Sequence, residues 1–189
     1  MFLNNYWKYR TTLEKNFNFL TSGYYTLGYA SGIKKYNGGD LGYMLCGVSL
    51  NAMTNTNYFP FVVNQVKGLC TEVTAKFGTG DHTIDADDFN IGGTDITADF
   101  SNVSISVIPA VDDGHTYDIS ISATYTGSRT TLKRIGITKD VYCNSVQSQE
   151  IYNMSIYKAP VLMISHELSE PIELNNGDPV NIIIKVTQQ

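Results

Sequence analysis

The chain has 189 residues, enough to bury one self-sufficient core, so one domain or one domain with an appendage is expected. A net charge of −5 with only 16% charged residues argues against nucleic-acid binding, which requires clustered lysine and arginine. The 13 tyrosines and 8 phenylalanines favour β-sheets and large contact surfaces over a helical enzyme.

The compartment is predicted from the cysteines and from the first residues. Cys46, Cys70 and Cys143 have neither metal-binding nor redox spacing, which favours buried, reduced thiols. The first residues lack the basic start and apolar run of a signal peptide, and no apolar stretch is long enough to span a bilayer. We therefore expect a protein that is made and assembled in a cytoplasm, without a membrane.

An amphipathic helix is predicted at the start of the chain, over residues 5–19. Apolar residues recur there at three- and four-residue spacing: Tyr6, Tyr9, Leu13, Phe17 and Leu20. Asn4 or Asn5 is suited to cap the first turn. We assign residues 1–20 to this helix or arm and residues 21–189 to a β domain. The apolar stripe docks either on the chain's own sheet or on a neighbouring subunit.

Short aromatic runs broken by glycine-rich turns occupy residues 21–64. Tyr25, Leu27 and Tyr29 alternate with small or polar residues, as in a strand. Residues 37–40 (Asn-Gly-Gly-Asp) tolerate positive φ, which predicts a hairpin or a long loop. Residues 41–50 and 58–63 are further candidates for short strands.

Alternation of apolar and polar residues predicts most of the remaining strands. It covers residues 67–77, then 96–107 with Val103, Ile105 and Val107 on one face, and is clearest from Tyr117 to Tyr125. Further strands are predicted at residues 132–137, 162–168, 172–174 and 180–186. Gly136 is interpreted as a bulge, residues 175–178 as a tight turn and residues 140–158 as a long excursion.

These elements predict an all-β fold, a β-sandwich or jelly roll of about eight to ten antiparallel strands with one N-terminal α-helix. No strand–helix–strand alternation is present, so an α/β enzyme fold is not expected.

The C-terminal region resembles small structural proteins encoded in the morphogenesis modules of bacteriophages. The similarity lies in the order TYTG, LKRIGI and LMISHELSEPIELNNGDPVNIIIKV, and in an upstream segment, FGTG followed by DADDFNIG. The similarity covers about the last 115 residues of the chain and rests on their pattern of alternating strands. Arg134 stands where that group usually has an acidic residue. The resemblance implies a virion structural protein with a small β-sandwich or jelly-roll fold.

The acidic loop between residues 81 and 95 contains the only cluster of potential hard-metal ligands. Asp85, Asp87 and Asp88 are weak candidates for calcium binding, because calcium prefers several oxygen ligands from one loop. The EF-hand spacing is absent. The alternative is a solvated loop whose carboxylates cap its own backbone in Asx turns. No cofactor is predicted.

Catalysis is not expected, because no nucleophile motif and no convincingly placed pair of carboxylates is present. Aromatic residues are concentrated in the first third of the chain, where tyrosine offers large amphipathic contact area. Candidate interface residues are Tyr6, Trp7, Leu13, Phe17, Tyr25 and Tyr29. Ordinary core and hairpin packing is the alternative use of these side chains.

Two functions remain open at this point. The first is a structural virion protein of a phage or phage-like virus, assembled in the host cytoplasm, whose partners are copies of itself or other virion proteins. The second is a fibre or tail module that binds a host receptor or carbohydrate through its loops. The resemblance and the absence of catalytic motifs favour the first.

Overall fold

The computed structural model describes residues 1–9, 11, 28–29, 32–38, 44–45, 73–80, 83–109, 116–144 and 156–187. This part of the chain contains helix α1 (residues 4–9), a 3₁₀ turn (Thr97–Asp99) and eight strands. The strands are β1 (Gly28–Tyr29), β2 (Met44–Leu45), β3 (Val73–Gly78), β4 (Phe100–Pro109), β5 (Thr116–Tyr125), β6 (Thr130–Asn144), β7 (Ile156–Leu174) and β8 (Pro179–Thr187). The prediction of an all-β chain with one N-terminal helix is confirmed.

The smaller sheet has three antiparallel strands in the order β4-β5-β8. In its central strand, every second side chain from Tyr117 to Tyr125 is buried, and the side chains between them are half-buried. The alternation read from the sequence is therefore confirmed in phase as well as in extent. The turn at residues 175–178 joins β7 to β8, and Gly177 adopts a φ of 92° there, as the predicted turn chemistry requires.

The larger sheet is built on β6. Strand β7 pairs along the whole length of one edge of β6, from Thr130–Leu174 to Asn144–Ile156. Strands β3 and β2 pair with the other edge at different heights, and β1 extends the sheet beyond β2. All of these pairings are antiparallel, so both sheets are antiparallel throughout the described residues.

Two sequence interpretations of the β6–β7 region are wrong. Residues 140–144 and 156–158 do not belong to an excursion, because they continue the paired strands of the hairpin. Gly136 is not a bulge, since it pairs in register with Ser165. The register shifts flank it, one between Leu132 and Arg134 and one between Ile137 and Thr138.

One apolar core cluster contains side chains from the inner faces of both sheets. Phe77 of β3 stacks on Phe100 of β4 with ring centroids 3.9 Å apart, and Tyr125 packs edge-on against Phe100 at 5.1 Å. Buried aromatic side chains contribute large apolar areas. These rings therefore form a contact between the two sheets.

The other face of the larger sheet is covered by residues 83–96. Ile91 is buried there, and its side chain occupies the space above Gly78 and Gly136, where a Cβ atom would come within 2.8 Å of Ile91 carbons. Glycine in a strand commonly marks such a close approach. The Ile91 side chain of the covering segment thus packs directly on the backbone of the sheet at the two glycines.

Arg134 fixes the same segment by polar contacts. Its side chain is 1% exposed, and its Nη1 atom donates a hydrogen bond of 3.3 Å to the Ile91 carbonyl and lies 3.9 Å from Oδ2 of Asp88. A buried guanidinium requires such partners, because burial of an uncompensated charge is costly. Arg134 therefore has a structural role beneath the covering segment.

The N-terminal residues extend the larger sheet before the helix begins. Phe2 forms an antiparallel bridge with Ile164, and the Leu3 amide donates to the Met163 carbonyl at 3.0 Å. Helix α1 then places Tyr6 and Tyr9 in the main core cluster. Of the predicted apolar stripe, Tyr6 and Tyr9 therefore pack within the chain, and Leu13, Phe17 and Leu20 lie outside the described residues.

The side-chain amide of Asn5 holds the segment around Lys34. It donates to the Lys34 carbonyl at 3.0 Å and accepts from the Lys34 amide at 3.1 Å. Of the predicted helix over residues 5–19, the described residues 5–9 and 11 are helical. The predicted strand at 58–63 lies outside the described residues.

Candidate interaction surface

The outer face of the three-stranded sheet carries mostly small hydroxyl side chains. On β4 and β5 these are Ser101, Ser104, Ser106, Thr116, Ser120, Ser122 and Thr124. Ser104 and Ser122 are cross-strand partners whose Oγ atoms lie 2.7 Å apart. We name this surface the serine face. Because its side chains are small, another molecule can approach the backbone of the sheet closely there.

Two large apolar side chains project from the serine face. Ile183 of β8 is 71% exposed and Ile108 of β4 is 57% exposed, the two most exposed large hydrophobic side chains in the described chain. Ile183 lies beside Ser120, and Ile108 lies beside Asp118. Single exposed apolar residues are ordinary on protein surfaces, but two on one uncovered sheet face make it a candidate contact surface.

A bulge changes the orientation of β4 near its start. The register shifts between Ser101 and Ser104, and Asn102 adopts a positive φ of 52°. The sequence places Val103 on the same face as Ile105 and Val107, but Val103 differs from them in burial. It is exposed, whereas the other two pack against the core.

The edges of the sheet carry features that oppose strand addition. Within the described residues, β4 and β8 each pair only with β5. Strand β4 contains the bulge and ends in Pro109, and β8 begins with Pro179 and carries exposed Lys185. Bulges, prolines and lysines on edge strands discourage pairing with another chain. The serine face is therefore a more suitable contact surface than either edge.

The charges on the serine face are one carboxylate and one ammonium group in adjacent strands. Asp118 of β5 and Lys185 of β8 are cross-strand partners. No ion pair is formed by either side chain with another residue of the described chain, and Oδ1 of Asp118 is buried without a hydrogen bond. A buried acceptor without a donor is unfavourable.

The three calcium candidates lie in the covering segment and bind the chain itself. The Asp87 amide donates to Oδ1 of Asp85 at 2.8 Å, and the Asp85 amide donates to Oδ2 of Asp88 at 3.0 Å. Oδ1 of Asp87 accepts a hydrogen bond from Asn4 at 3.0 Å and lies 3.8 Å from Nζ of Lys8. These contacts match the predicted alternative of self-capping Asx turns.

Metal ligation is not favoured by this arrangement. In the part of the chain that the structure describes, no group of three or more His, Cys, Asp or Glu side chains is placed to hold an ion. One calcium candidate, Asp88, faces the buried guanidinium of Arg134 instead.

A second polar cluster joins the covering segment to the N-terminal third of the chain. The Tyr36 hydroxyl donates to Oδ2 of Asp95 at 2.8 Å, and Nζ of Lys76 lies 4.8 Å from the centre of the Tyr36 ring. Burial raises the pKa of Tyr36, and the hydrogen bond to Asp95 and its negative charge raise that pKa further.

The carboxyl group of Asp95 responds in the opposite direction. Burial by itself raises its pKa, but hydrogen bonds from Thr97 and Tyr36 and the positive charge of Lys76 outweigh this, so the pKa is lowered. The ionised form is consequently favoured in the folded chain.

We expect Asp95 to make the folded state more sensitive to acid. Because its folded-state pKa lies below its unfolded value of about 3.9, its contribution is complete above that pH and is lost as the pH falls through the folded-state pKa. Urea unfolding between about pH 7 and pH 2.5, a range that spans this value, should show the gap between wild type and Asp95→Asn closing below about pH 4. In a Tyr36→Phe background, Asp95→Asn should lower the free energy of unfolding by less at neutral pH, because the hydrogen bond to Asp95 is already absent. A gap that stays constant with pH would contradict the assignment.

The structure places only two of the six predicted interface residues completely. Tyr6 is fully buried in the core and Trp7 is half-buried beside it, with ring centroids 4.8 Å apart. Tyr29 lies in β1, and Leu13, Phe17 and Tyr25 lie outside the described residues. The structure brings Tyr6 and Trp7 together, and it uses the Tyr6 ring within the chain. As subunit contacts all six stay predictions.

The exposed isoleucines escaped the sequence reading, although a signal was present. Ile182, Ile183 and Ile184 are consecutive in β8. Successive side chains of a strand point to opposite faces, so at least one of any three consecutive isoleucines must face outward in a sheet with one buried face. Here that residue is Ile183.

Comparisons of the chain with protein-family models, with curated proteins and with solved structures find no match. The search for long apolar helices among the described residues finds none that could cross a membrane. The function must therefore be argued from the surfaces of the chain itself.

Proposed function

We propose that this chain is a structural virion protein of a phage or phage-like virus, which acts by self-association and without catalysis. The observation that carries the proposal is the uncovered serine face, with Ile183 71% exposed at a position where the chain's own core offers no contact. The sequence resemblance to phage structural proteins supports the same class.

The proposal includes the arrangement of the sheets as a β-sandwich or jelly roll. In such folds two antiparallel sheets pack face to face with their inner side chains interdigitated. The core cluster shared by the two sheets and the stack of Phe77 on Phe100 are consistent with this arrangement. A subunit of this kind needs only geometric complementarity with its neighbours.

The deciding experiment is the mass of the purified chain by light scattering after size exclusion, with and without a chelator. We expect large assemblies, or assembly-competent oligomers that join particles, and no effect of the chelator. A small oligomer that binds glycans or cells would favour a receptor- or carbohydrate-binding module instead. A strict monomer that joins no particle would overturn the proposal.

A further inference from the structure

We infer that the serine face packs against the serine face of a second copy of this chain, around a two-fold axis that runs along the strands between β5 and β8. The inference rests on the proposed function, because it specifies which surface self-associates. It commits to a second copy as the occupant of the face.

The shape of the face is self-complementary about such an axis. Ser120 and Ile183 are cross-strand partners on β5 and β8, so the axis places Ile183 of one copy above Ser120 of the other, twice per interface. A large exposed side chain then meets a small one, as in well-packed layers. Packed sheets lie about 10 Å apart, which leaves room for one side-chain layer of this kind.

The charges are self-complementary about the same axis. Asp118 and Lys185 occupy the neighbouring row on the same two strands, so Asp118 of each copy comes to lie opposite Lys185 of the other. The lysine chain is long enough to reach a carboxylate on the facing sheet. Because neither group forms an ion pair within the described chain, both are available for this contact.

Association through the edges is the competing arrangement, and the strands oppose it. The bulge at Asn102 and the terminal Pro109 interrupt the free edge of β4, and Pro179 and Lys185 interrupt that of β8. Two copies can still meet face to face without pairing any further backbone groups. Among the face and the edges of this sheet, the face is thus better suited to a symmetric contact.

The size of the face predicts a weak contact. The axis places β5 and β8 over their counterparts, and β4 of each copy lies outside the overlap. Two strands of about nine residues, about 4.8 Å apart with a rise of about 3.3 Å per residue, present about 300 Å² per copy. Stable interfaces bury about 800 Å² per partner. We therefore expect this contact to be transient in dilute solution and to become persistent where several contacts act together in an assembly.

Paired charge reversals test the arrangement directly. Asp118→Lys gives a face with two positive charges, and Lys185→Asp gives a face with two negative charges. Each variant alone should self-associate about tenfold more weakly than the wild type, since every interface then contains two like-charge contacts. An equimolar mixture of the two variants should regain wild-type association, because opposite faces then meet. Sedimentation velocity at low salt measures all four samples.

The control changes the same charges elsewhere. Lys133 and Glu170 are exposed on the larger sheet, so Lys133→Asp and Glu170→Lys, alone and mixed, should leave association unchanged. Circular dichroism and urea midpoints establish that all variants fold.

The inference fails if the serine-face variants associate like the wild type, or if their mixture gains nothing over either alone. If the wild type still assembles in that case, the proposed function stands and another surface must mediate it. A wild type that is monomeric under all conditions overturns both.

Discussion

Ile184→Ala is expected to destabilise the fold by about 2–5 kcal/mol, whereas Ile183→Ala should change the free energy of unfolding by less than about 0.5 kcal/mol. The two residues are neighbours in β8, yet Ile184 is 2% exposed in the core and Ile183 projects from the serine face. The first change leaves a cavity between the sheets, and the second removes atoms that already contact water. Urea unfolding measures both changes.

The same two variants should behave in the reverse order in an association assay. Ile183→Ala should weaken assembly while the subunit remains folded. Ile184→Ala should assemble normally when it is studied without denaturant and at a temperature where it is still folded. Equal stability losses for both variants would mean that Ile183 is covered within the subunit, and this would remove the observation on which the proposed function depends.

Gly78→Ala should cost about 1–3 kcal/mol, because overpacking of a closely fitted contact forces neighbouring groups apart. A Cβ atom at this position would lie 2.8 Å from Cγ1 of Ile91 and 3.0 Å from the Gly92 carbonyl oxygen. Thr74→Ala, at an exposed position on the same face of β3, is the matched control, and we expect it to cost less than about 0.5 kcal/mol as an ordinary surface change.

A double-mutant cycle with Ile91→Ala isolates the contact. Ile91→Ala alone should cost about 2–5 kcal/mol as a buried truncation. The double variant should cost about 1 kcal/mol less than the two single changes together, because the truncated side chain makes room for the new methyl group. Strict additivity would show that Ile91 does not press on β3.

The parts of the fold that were predictable from the sequence are those governed by local alternation. Strand β5 alternates without interruption from Tyr117 to Tyr125, and one buried face is enough to explain its pattern. The turn before β8 was readable because the Gly177 position requires a positive φ. These signals are short-range and need no knowledge of a neighbouring element.

The sequence pattern is less informative about strands that are buried on both faces. The middle of β6 is buried from Arg134 to Lys139, with the core on one side and the covering segment on the other. Alternation disappears in such a strand. The sequence pattern therefore indicates only residues 132–137 of β6, and it assigns residues 140–144 and 156–158 of the hairpin to an excursion. The two register shifts within the hairpin weakened the pattern further.

The candidate surface was beyond local reasoning for a different reason. Its charged pair is separated by 67 positions in sequence, and only the register of β5 and β8 makes Asp118 and Lys185 neighbours. Likewise, Gly136 carries no local sign of the distant Ile91 that needs its space. Residue types were visible in both cases, but the pairing that gives them meaning is a tertiary property.

The order of the strands also has a consequence for how the chain is synthesised. Strand β5 leaves the ribosome together with β4, but its second neighbour, β8, follows only after the whole β6–β7 hairpin. Contacts between segments so distant in sequence form slowly, because closing the intervening loop costs entropy. Throughout that interval β5 has one unpaired edge and incompletely buried apolar side chains, which are the features that make folding intermediates prone to aggregation.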